Sequence, residues 1–358
     1  MTGGGAGDAG RARDVAIVGD RFMRSARFEA ALRALCGERV RCRGLDLPWP
    51  DEPMRSGREE DGTAGLLELQ GEPERIVAHV GDAPILVTHL APVSAGMLER
   101  LPALELVAVS RGGPVNVDTA AARARGVKLV NTPGRNASAV AEFTIGAIIA
   151  ETRHIARGHE ALRRGEWRGD LYRADLQRDE LSRLVVGVVG YGEIGTRVVR
   201  LLRAFGGDVL VADPYRPLSA EDRAAGVRHV ALEELLDAAD VVTLHARVTA
   251  ETRGFMDAGV FARMRPGSVF VNTARGPLVD HAALHAALAS GHLGGAVLET
   301  FDPEPPPPDS PLLALPNVTL TPHVAGASLT TVRVAAERVA EEVRRHLDGE
   351  PPLNPCRD

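Results

Sequence analysis

Val185-Val186-Gly187-Val188-Val189-Gly190-Tyr191-Gly192-Glu193-Ile194-Gly195 is the stretch on which the reading of this chain turns. An apolar run ends in glycines at GxGxxG spacing. Ile194, Val198, Leu201, Leu202 and Phe205 then fall on one helical face, and a second apolar run, Val209 to Ala212, ends at Asp213. Strand, glycine turn, helix and strand is the order of a dinucleotide-binding βαβ unit. Gly190 makes the tight turn, Gly192 lets a pyrophosphate approach the backbone, and Gly195 permits close packing of helix on sheet, with Glu193 and Ile194 completing the turn. The anion then rests on a helix N-terminus. Asp213 lies 18 residues beyond Gly195, where a carboxylate accepts hydrogen bonds from a ribose hydroxyl and repels a 2′-phosphate. NAD(H) is therefore expected over NADP(H), with Arg216 leaving some tolerance for the latter. A glycine turn without a ligand is the plain alternative in a chain with 38 glycines; the complete context favours the cofactor.

Outward from this unit, a second α/β series runs from Leu184 to about Thr321, followed by an amphipathic helix from Leu329 to Leu347. The first third reads as an α/β unit of its own. Strand-like runs occur at Val15 to Val18, Val40 to Leu47, Ile85 to Val87, Leu104 to Val109 and Val127 to Val130, with helical patterns between them. Residues 1–14 read as a flexible start, and residues 48–65, with three prolines and many charges, as a surface loop or poorly ordered excursion. The segment Ala137 to His154 is helical in period and nearly apolar all round, which demands burial on more than one side. Residues 157–183, Arg- and Asp-rich with Trp167 and Tyr172, resemble an extended arm.

With 358 residues, 44% of them hydrophobic, the chain can fill two sizeable cores. A formal net charge of -6 offers no general attraction to nucleic acid or an anionic membrane, so neither is expected as a partner. Lys128 is the only lysine. Cys36, Cys42 and Cys356 lack CxxC spacing and a nearby histidine set, so free thiols in a reducing cytoplasm are expected and a metal site is not. The longest apolar stretch, Ala139 to Ala150, is interrupted by Glu142 and too short to span a bilayer, and residues 1–14 hold no signal-peptide core. A cytoplasmic location is expected.

Three polar residues fall where strands of the second series should end. Arg275 follows Ser268 to Ala274, Glu304 sits in Phe301-Asp302-Pro303-Glu304-Pro305, and His323 lies in Leu320-Thr321-Pro322-His323. Each alone reads as an ordinary surface or structural residue. Together they supply a guanidinium for a carboxylate, a proton donor active near neutral pH, and a carboxylate to hold that donor protonated and oriented.

At this point the chain resembles the D-isomer-specific 2-hydroxyacid dehydrogenase family, which includes the D-3-phosphoglycerate dehydrogenases. The matching stretches are Gly112-Gly113-Pro114-Val115-Asn116-Val117-Asp118, Asn131 to Asn136, Ala139 to Glu142, the fingerprint with Asp213-Pro214-Tyr215, Leu244-His245-Ala246, Asn272-Thr273-Ala274-Arg275-Gly276, Pro303-Glu304-Pro305, and Leu315-Pro316-Asn317 through His323. They occur in family order from about residue 85 to 327. The resemblance implies an α/β fold of two doubly wound parallel-sheet domains. A Rossmann NAD-binding domain, residues 110–326 with a dimerisation helix and arm at about 137–183, is inserted in a flavodoxin-like substrate domain formed by 1–109 and 327–358. The active site would lie in the cleft.

Carried over position by position, His323 would be the acid/base, Glu304 its partner, and Arg275 the group that binds the substrate carboxylate and polarises its carbonyl. Backbone around Arg111, Gly112 and Gly113 would hold the other carboxylate oxygen. His245, Thr273, Ala274, Glu299 and Gly326 would join the fingerprint and Asp213 to Tyr215 around NAD(H). The reaction implied is hydride transfer between the nicotinamide and C2 of a small 2-hydroxy or 2-oxo acid. Two departures stand out. Glu299-Thr300 replaces the usual Asp-Val, in which the acid is expected near the nicotinamide carboxamide, and Ser182-Arg183 replaces the usual Gly-Lys before the fingerprint strand. No regulatory domain is expected after the final helix.

The side-chain pocket is expected near Thr88-His89-Leu90-Ala91-Pro92, Arg111 and Arg135. These two arginines either serve a distal phosphate or phosphonate of a specialised 2-oxo acid or are ordinary surface residues. An alternative of another class is an NAD(H)-sensing binding protein resembling the C-terminal binding protein corepressors. Glutamate at position 304, where formate dehydrogenases carry glutamine, disfavours formate oxidation. The apolar helix and the arm point to a homodimer.

Overall fold

A computed structural model describes residues 12–49 and 54–356. It divides into two compact units, one formed by Met1–Arg135 with Ser328–Asp358 and the other by Asn136–Ala327. Of the start read as flexible, residues 1–11 lie outside the described residues.

In the first unit, strands β1 (Arg13–Gly19), β2 (Val40–Asp46), β3 (Ile85–Thr88), β4 (Leu106–Val109) and β5 (Lys128–Val130) form a parallel sheet in the order β2-β1-β3-β4-β5. This is the flavodoxin-like order. β4 is a continuous apolar run and β3 an apolar run closed by Thr88, both buried along their whole length, as strands covered on both faces must be. Phe28 and Leu32 of the helix Ser25–Cys36 and Ala335, Ala336, Val339 and Val343 of the helix Leu329–Leu347 share one core with Val15, Ile17, Ile85 and Val87. The small alanine face lets the two helices pack closely, and Ser328 caps the second by accepting the Thr331 amide.

Two expectations for this unit need correction. The chain leaves it after Arg135 rather than after residue 109, because the helix Thr119–Ala124 and β5 complete the sheet, β5 pairing along the free edge of β4. The excursion at 48–65, apart from 50–53, which are not described, folds back onto the unit. Arg55 bridges to Leu69, Arg55 pairs with Asp61 at 2.7 Å, and Thr63 is fully buried.

The second unit holds seven parallel strands, β6 (Val185–Val189), β7 (Asp208–Ala212), β8 (Arg228–His229), β9 (Val241–Leu244), β10 (Val269–Asn272), β11 (Gly295–Leu298) and β12 (Val318–Leu320). Their order is β12-β11-β10-β9-β6-β7-β8. The chain builds outward from β6 to β8 and then crosses to β9, so strand order reverses between β6 and β9. That reversal opens the crevice at the carboxyl ends of the strands where open α/β sheets take ligands.

The apolar helix, Ala137–Thr152, packs Ala141, Ile145 and Ile148 against this sheet. The arm is not extended throughout. After His154, in left-handed conformation, the chain forms a helix at Ile155–Arg163 and two short 3-10 turns at Gly169–Tyr172 and Ala174–Leu176. Trp167 and Tyr172 on it are 85% and 93% exposed. Among the described residues no helix is long and apolar enough to cross a membrane.

Glu151 ties helix, arm and sheet together. Its buried carboxylate takes an ion pair from Arg157 and a hydrogen bond from Thr319 Oγ1 at 2.7 Å. Burial pushes its pKa up against the pull of Arg157 and Thr319. Removing one partner of a buried pair leaves the other uncompensated. Glu151→Ala is therefore expected to destabilise the second unit by about 3 kcal/mol, seen as a lower urea midpoint; an unchanged midpoint would show the pair to be dispensable.

Candidate active site

The fingerprint turn is built by close backbone approach. Gly190 has φ 96°, and a Cβ there would stand 2.7 Å from the His245 carbonyl oxygen. A Cβ on Gly195, the first residue of the helix Gly195–Ala204, would overlap the Gly190 carbonyl, whereas the space over Gly192 is open. Only glycine fits the first and third positions, and the second leaves room for a ligand.

Asp213 stands at the end of β7 with Oδ2 accepting the Tyr191 amide at 2.6 Å and Oδ1 accepting those of Tyr215 and Arg216 at 2.8 and 2.9 Å. These bonds fix the carboxylate beside the glycine turn. Pro214 and Tyr215 are exposed next to it. Glu193 is exposed and pairs with Arg197 at 3.0 Å, and the Arg216 guanidinium lies over the Tyr191 ring.

Across the reversal, His245 has Nε2 3.1 Å from Thr243 Oγ1 and Nδ1 buried without a partner. Burial pushes its pKa down to about 3, so the ring is neutral near pH 7. Thr273 and Ala274 are buried, with Thr273 Oγ1 2.8 Å from Thr144 Oγ1. The glycine cradle, the anchored Asp213 and an orphaned imidazole nitrogen on neighbouring strand ends fit a dinucleotide.

β10, β11 and β12 end side by side and carry the three candidate chemical residues just beyond their ends. His323 Nδ1 is 2.9 Å from Glu304 Oε2, and the Phe301 amide donates to Glu304 Oε1 at 2.8 Å. Burial pushes the Glu304 carboxyl up, but the hydrogen bond and charge of His323, the Phe301 amide and Arg275 outweigh it and hold Glu304 below the usual carboxylate range. An ionised Glu304 accepts Nδ1–H, which leaves Nε2 as the nitrogen that gains or loses a proton.

Arg275 is exposed to solvent, with protein atoms gathered around its guanidinium. Burial draws its pKa down while the charges of Glu304 and Glu299 draw it up. Its NH1 donates to the Ala274 carbonyl at 2.7 Å. Glu299 is buried at the end of β11 and accepts the Ala325 amide, and a Cβ on Gly326 would stand 2.6 Å from Asn136 Nδ2.

The first unit presents its own polar residues where its parallel strands end. Arg111 is buried and held by Glu68, through its carbonyl at 3.0 Å and through an ion pair with its carboxylate. Gly112 and Gly113 are exposed, and among the described residues their amides have no acceptor. His89 Nδ1 lies 2.6 Å from Asp20 Oδ2, and its Nε2 lies 3.2 Å from Arg135 NH2. Burial pulls His89 down against the pull of Asp20, so a neutral ring accepts from Arg135.

Three residues take supporting roles that the sequence does not assign to them. Asn272 accepts the Ala274 amide and donates to the Arg275 carbonyl, both at 3.0 Å, shaping the turn that carries Arg275. Gly276 lies so close to the Phe301 carbonyl that any Cβ would overlap it. Glu68, 43 residues before Arg111, faces it only after the 54–70 segment folds back. The Asn-Thr-Ala-Arg-Gly run signalled the first two; nothing local signalled Glu68.

The pattern described as D-isomer specific 2-hydroxyacid dehydrogenase, NAD binding domain, matches residues 145–325. A glyoxylate reductase of Korarchaeum cryptofilum is 37% identical over 299 residues, 83% of this chain and 90% of that one. A D-3-phosphoglycerate dehydrogenase of Mycobacterium tuberculosis is 38% identical over 280 residues, 77% of this chain and 52% of that one. The chain thus spans about half the length of that relative. The crystal structure of a Thermus thermophilus protein superposes with TM-score 0.76 at 31% identity, covering 96% of this chain and 100% of that one.

Because a methyl group at position 195 cannot coexist with the Gly190 carbonyl, Gly195→Ala is expected to weaken NADH binding at least about tenfold by displacing the phosphate-facing turn. Titration of NADH fluorescence measures it, and wild-type affinity would show that the turn does not carry the dinucleotide.

Proposed function

The chain belongs to the D-isomer specific 2-hydroxyacid dehydrogenase family, and from that premise we propose that it reduces a small 2-oxo acid lacking a second anionic group, with His323, Glu304 and Arg275 as the catalytic set. Its class, an NAD-dependent oxidoreductase of 2-hydroxy acids, follows from membership. The observation that carries the residue assignment is the His323 Nδ1 contact with Glu304 Oε2 at 2.9 Å, beside an arginine on the neighbouring strand end.

NAD(H), when bound, supplies or takes up hydride at the nicotinamide. Asp213 would hold the ribose end, and the glycine turn would receive the pyrophosphate. Arg275, with NH1 committed to Ala274, offers its remaining N–H groups to the substrate carboxylate and carbonyl. His323 Nε2 would give its proton to the oxygen of the 2-oxo group as it becomes an alkoxide. Glu304, kept ionised, holds Nδ1–H through the transfer and stabilises the imidazolium before it. In the oxidising direction the neutral ring accepts the hydroxyl proton at the same nitrogen. In the first unit, the amides of Gly112 and Gly113 are available to a carboxylate oxygen.

The preference for a small acid rests on Arg111. Its charge is paired with Glu68 and its guanidinium is buried, which disfavours a phosphate or phosphonate at that residue. A homodimer is proposed through the arm, where the large apolar side chains of Ile155, Leu162, Trp167 and Tyr172 are all exposed.

NADH consumption with glyoxylate, pyruvate, hydroxypyruvate, 3-phosphohydroxypyruvate and phosphonopyruvate tests the activity. Turnover is expected on the first three in preference to the last two, and His323→Ala is expected to lower kcat by about 10²- to 10⁴-fold while NADH binding is unchanged. Near-normal turnover in His323→Ala would overturn the assignment. Light scattering should give a dimer for the native chain and a monomer for the double substitution of Trp167→Glu and Tyr172→Glu; a native monomer would overturn the dimer.

A further inference from the structure

Glu299 follows β11 and is 1% exposed. Its Oε1 accepts the Ala325 amide at 2.8 Å, and its main-chain carbonyl accepts the His323 amide at 3.0 Å. One residue therefore grips the turn His323–Ala325 at both ends, by backbone and by side chain. Within that turn His323 has φ 52°. A non-glycine residue stays in the left-handed region only where its surroundings impose that conformation.

On the reading that His323 is the acid/base, we propose that Glu299 is a positioning residue: its carbonyl and carboxylate hold the His323–Ala325 turn in the left-handed form that keeps Nδ1 on Glu304 and leaves Nε2 for proton transfer. This differs from the contact with the nicotinamide carboxamide expected of the shorter acid at this place. An aspartate would withdraw the acceptor by roughly 1.5 Å, about one carbon–carbon bond, which takes the 2.8 Å contact with Ala325 beyond hydrogen-bonding range. The additional methylene is what lets the side chain reach the turn.

The charged groups facing Glu299 are His323, Glu304 and Arg275. Burial pushes the Glu299 carboxyl up, against the charge of His323 and the amides of Ala325 and Val324, while Glu304 pushes the same way as burial. A group so placed serves as a hydrogen-bond acceptor whether or not it is ionised. Glutamine, which keeps the length and one acceptor oxygen, can therefore replace it where aspartate cannot.

The test compares Glu299→Gln, Glu299→Asp and Glu299→Ala in the full chain by three readouts. These are NADH affinity from fluorescence, kcat at saturating NADH with the preferred acid, and amide hydrogen exchange across residues 323–326. A small misplacement of a reacting group suffices for a large loss of rate, so the Asp and Ala variants should lose at least about tenfold in kcat with NADH affinity unchanged, and the Gln variant should stay within about threefold of wild type. Exchange at 323–325 should quicken in the Asp and Ala variants and not in the Gln variant. Weakened NADH binding with kcat intact at saturation would make Glu299 a cofactor ligand instead and overturn the proposal. Unchanged exchange in both the Asp and Ala variants would also overturn it. If the wild-type chain turned over none of the acids, the dehydrogenase reading would fail, and the exchange measurement alone would still decide whether Glu299 holds the turn. Should the Ala variant not fold, Asp against Gln makes the same comparison.

Discussion

Parallel register across β10, β11 and β12 is the constraint on which the candidate site depends. Asn272 pairs with Leu298 and Leu298 with Leu320, so three strands pointing the same way end at one level. The ladder runs one step further, with the Glu299 amide donating to the Asn272 carbonyl at 3.1 Å and the Thr321 amide to the Leu298 carbonyl at 3.0 Å. Residues separated by up to 48 positions, from Arg275 to His323, are brought to one edge by backbone hydrogen bonds before any side chain interacts. A slip by one residue in any of the three strands would turn its following loop to the other face of the sheet.

Beyond the strand ends, backbone against backbone does the remaining placement. Gly276 admits the Phe301 carbonyl where a side chain would stand, which brings the loop carrying Arg275 against the loop carrying Glu304. Gly195 admits the Gly190 carbonyl in the same way, and this sets the start of the helix that faces the dinucleotide phosphates. Asn272 closes the turn that carries Arg275 with both ends of its amide. The site is thus positioned by groups that take no part in its chemistry.

Electrostatics then separates the roles of similar residues. Glu304 is held below the usual carboxylate range by His323, the Phe301 amide and Arg275, whereas Glu299, buried a short distance along the same segment, is pushed up. One acid is kept as a carboxylate beside its histidine partner and the other serves as a hydrogen-bond acceptor for the Ala325 amide. The histidines divide similarly. His245 and His89 are drawn down by burial and act as neutral hydrogen-bonding rings, while His323 is partly exposed beside a carboxylate.

Much of the architecture was legible in the amino-acid order because it follows from local periodicity. The glycine fingerprint between two apolar runs defines β6, the helix after it and β7, and continuous apolar runs mark most of the other strands. The stretches resembling a known family marked Arg275, Glu304 and His323 as candidates, each just after an apolar run. What the order of residues could not contain was anything that depends on chain folding back through space. The return of the 54–70 segment to place Glu68 on Arg111, the addition of β5 that moves the first boundary to Arg135, and the partial helicity of the arm all rest on contacts between distant residues. The same is true of Glu299. Sequence alone identified an acid one methylene longer than expected, and the tertiary structure decided its partners, because the reach of a side chain has meaning only once the amides of the neighbouring strand's loop are in place.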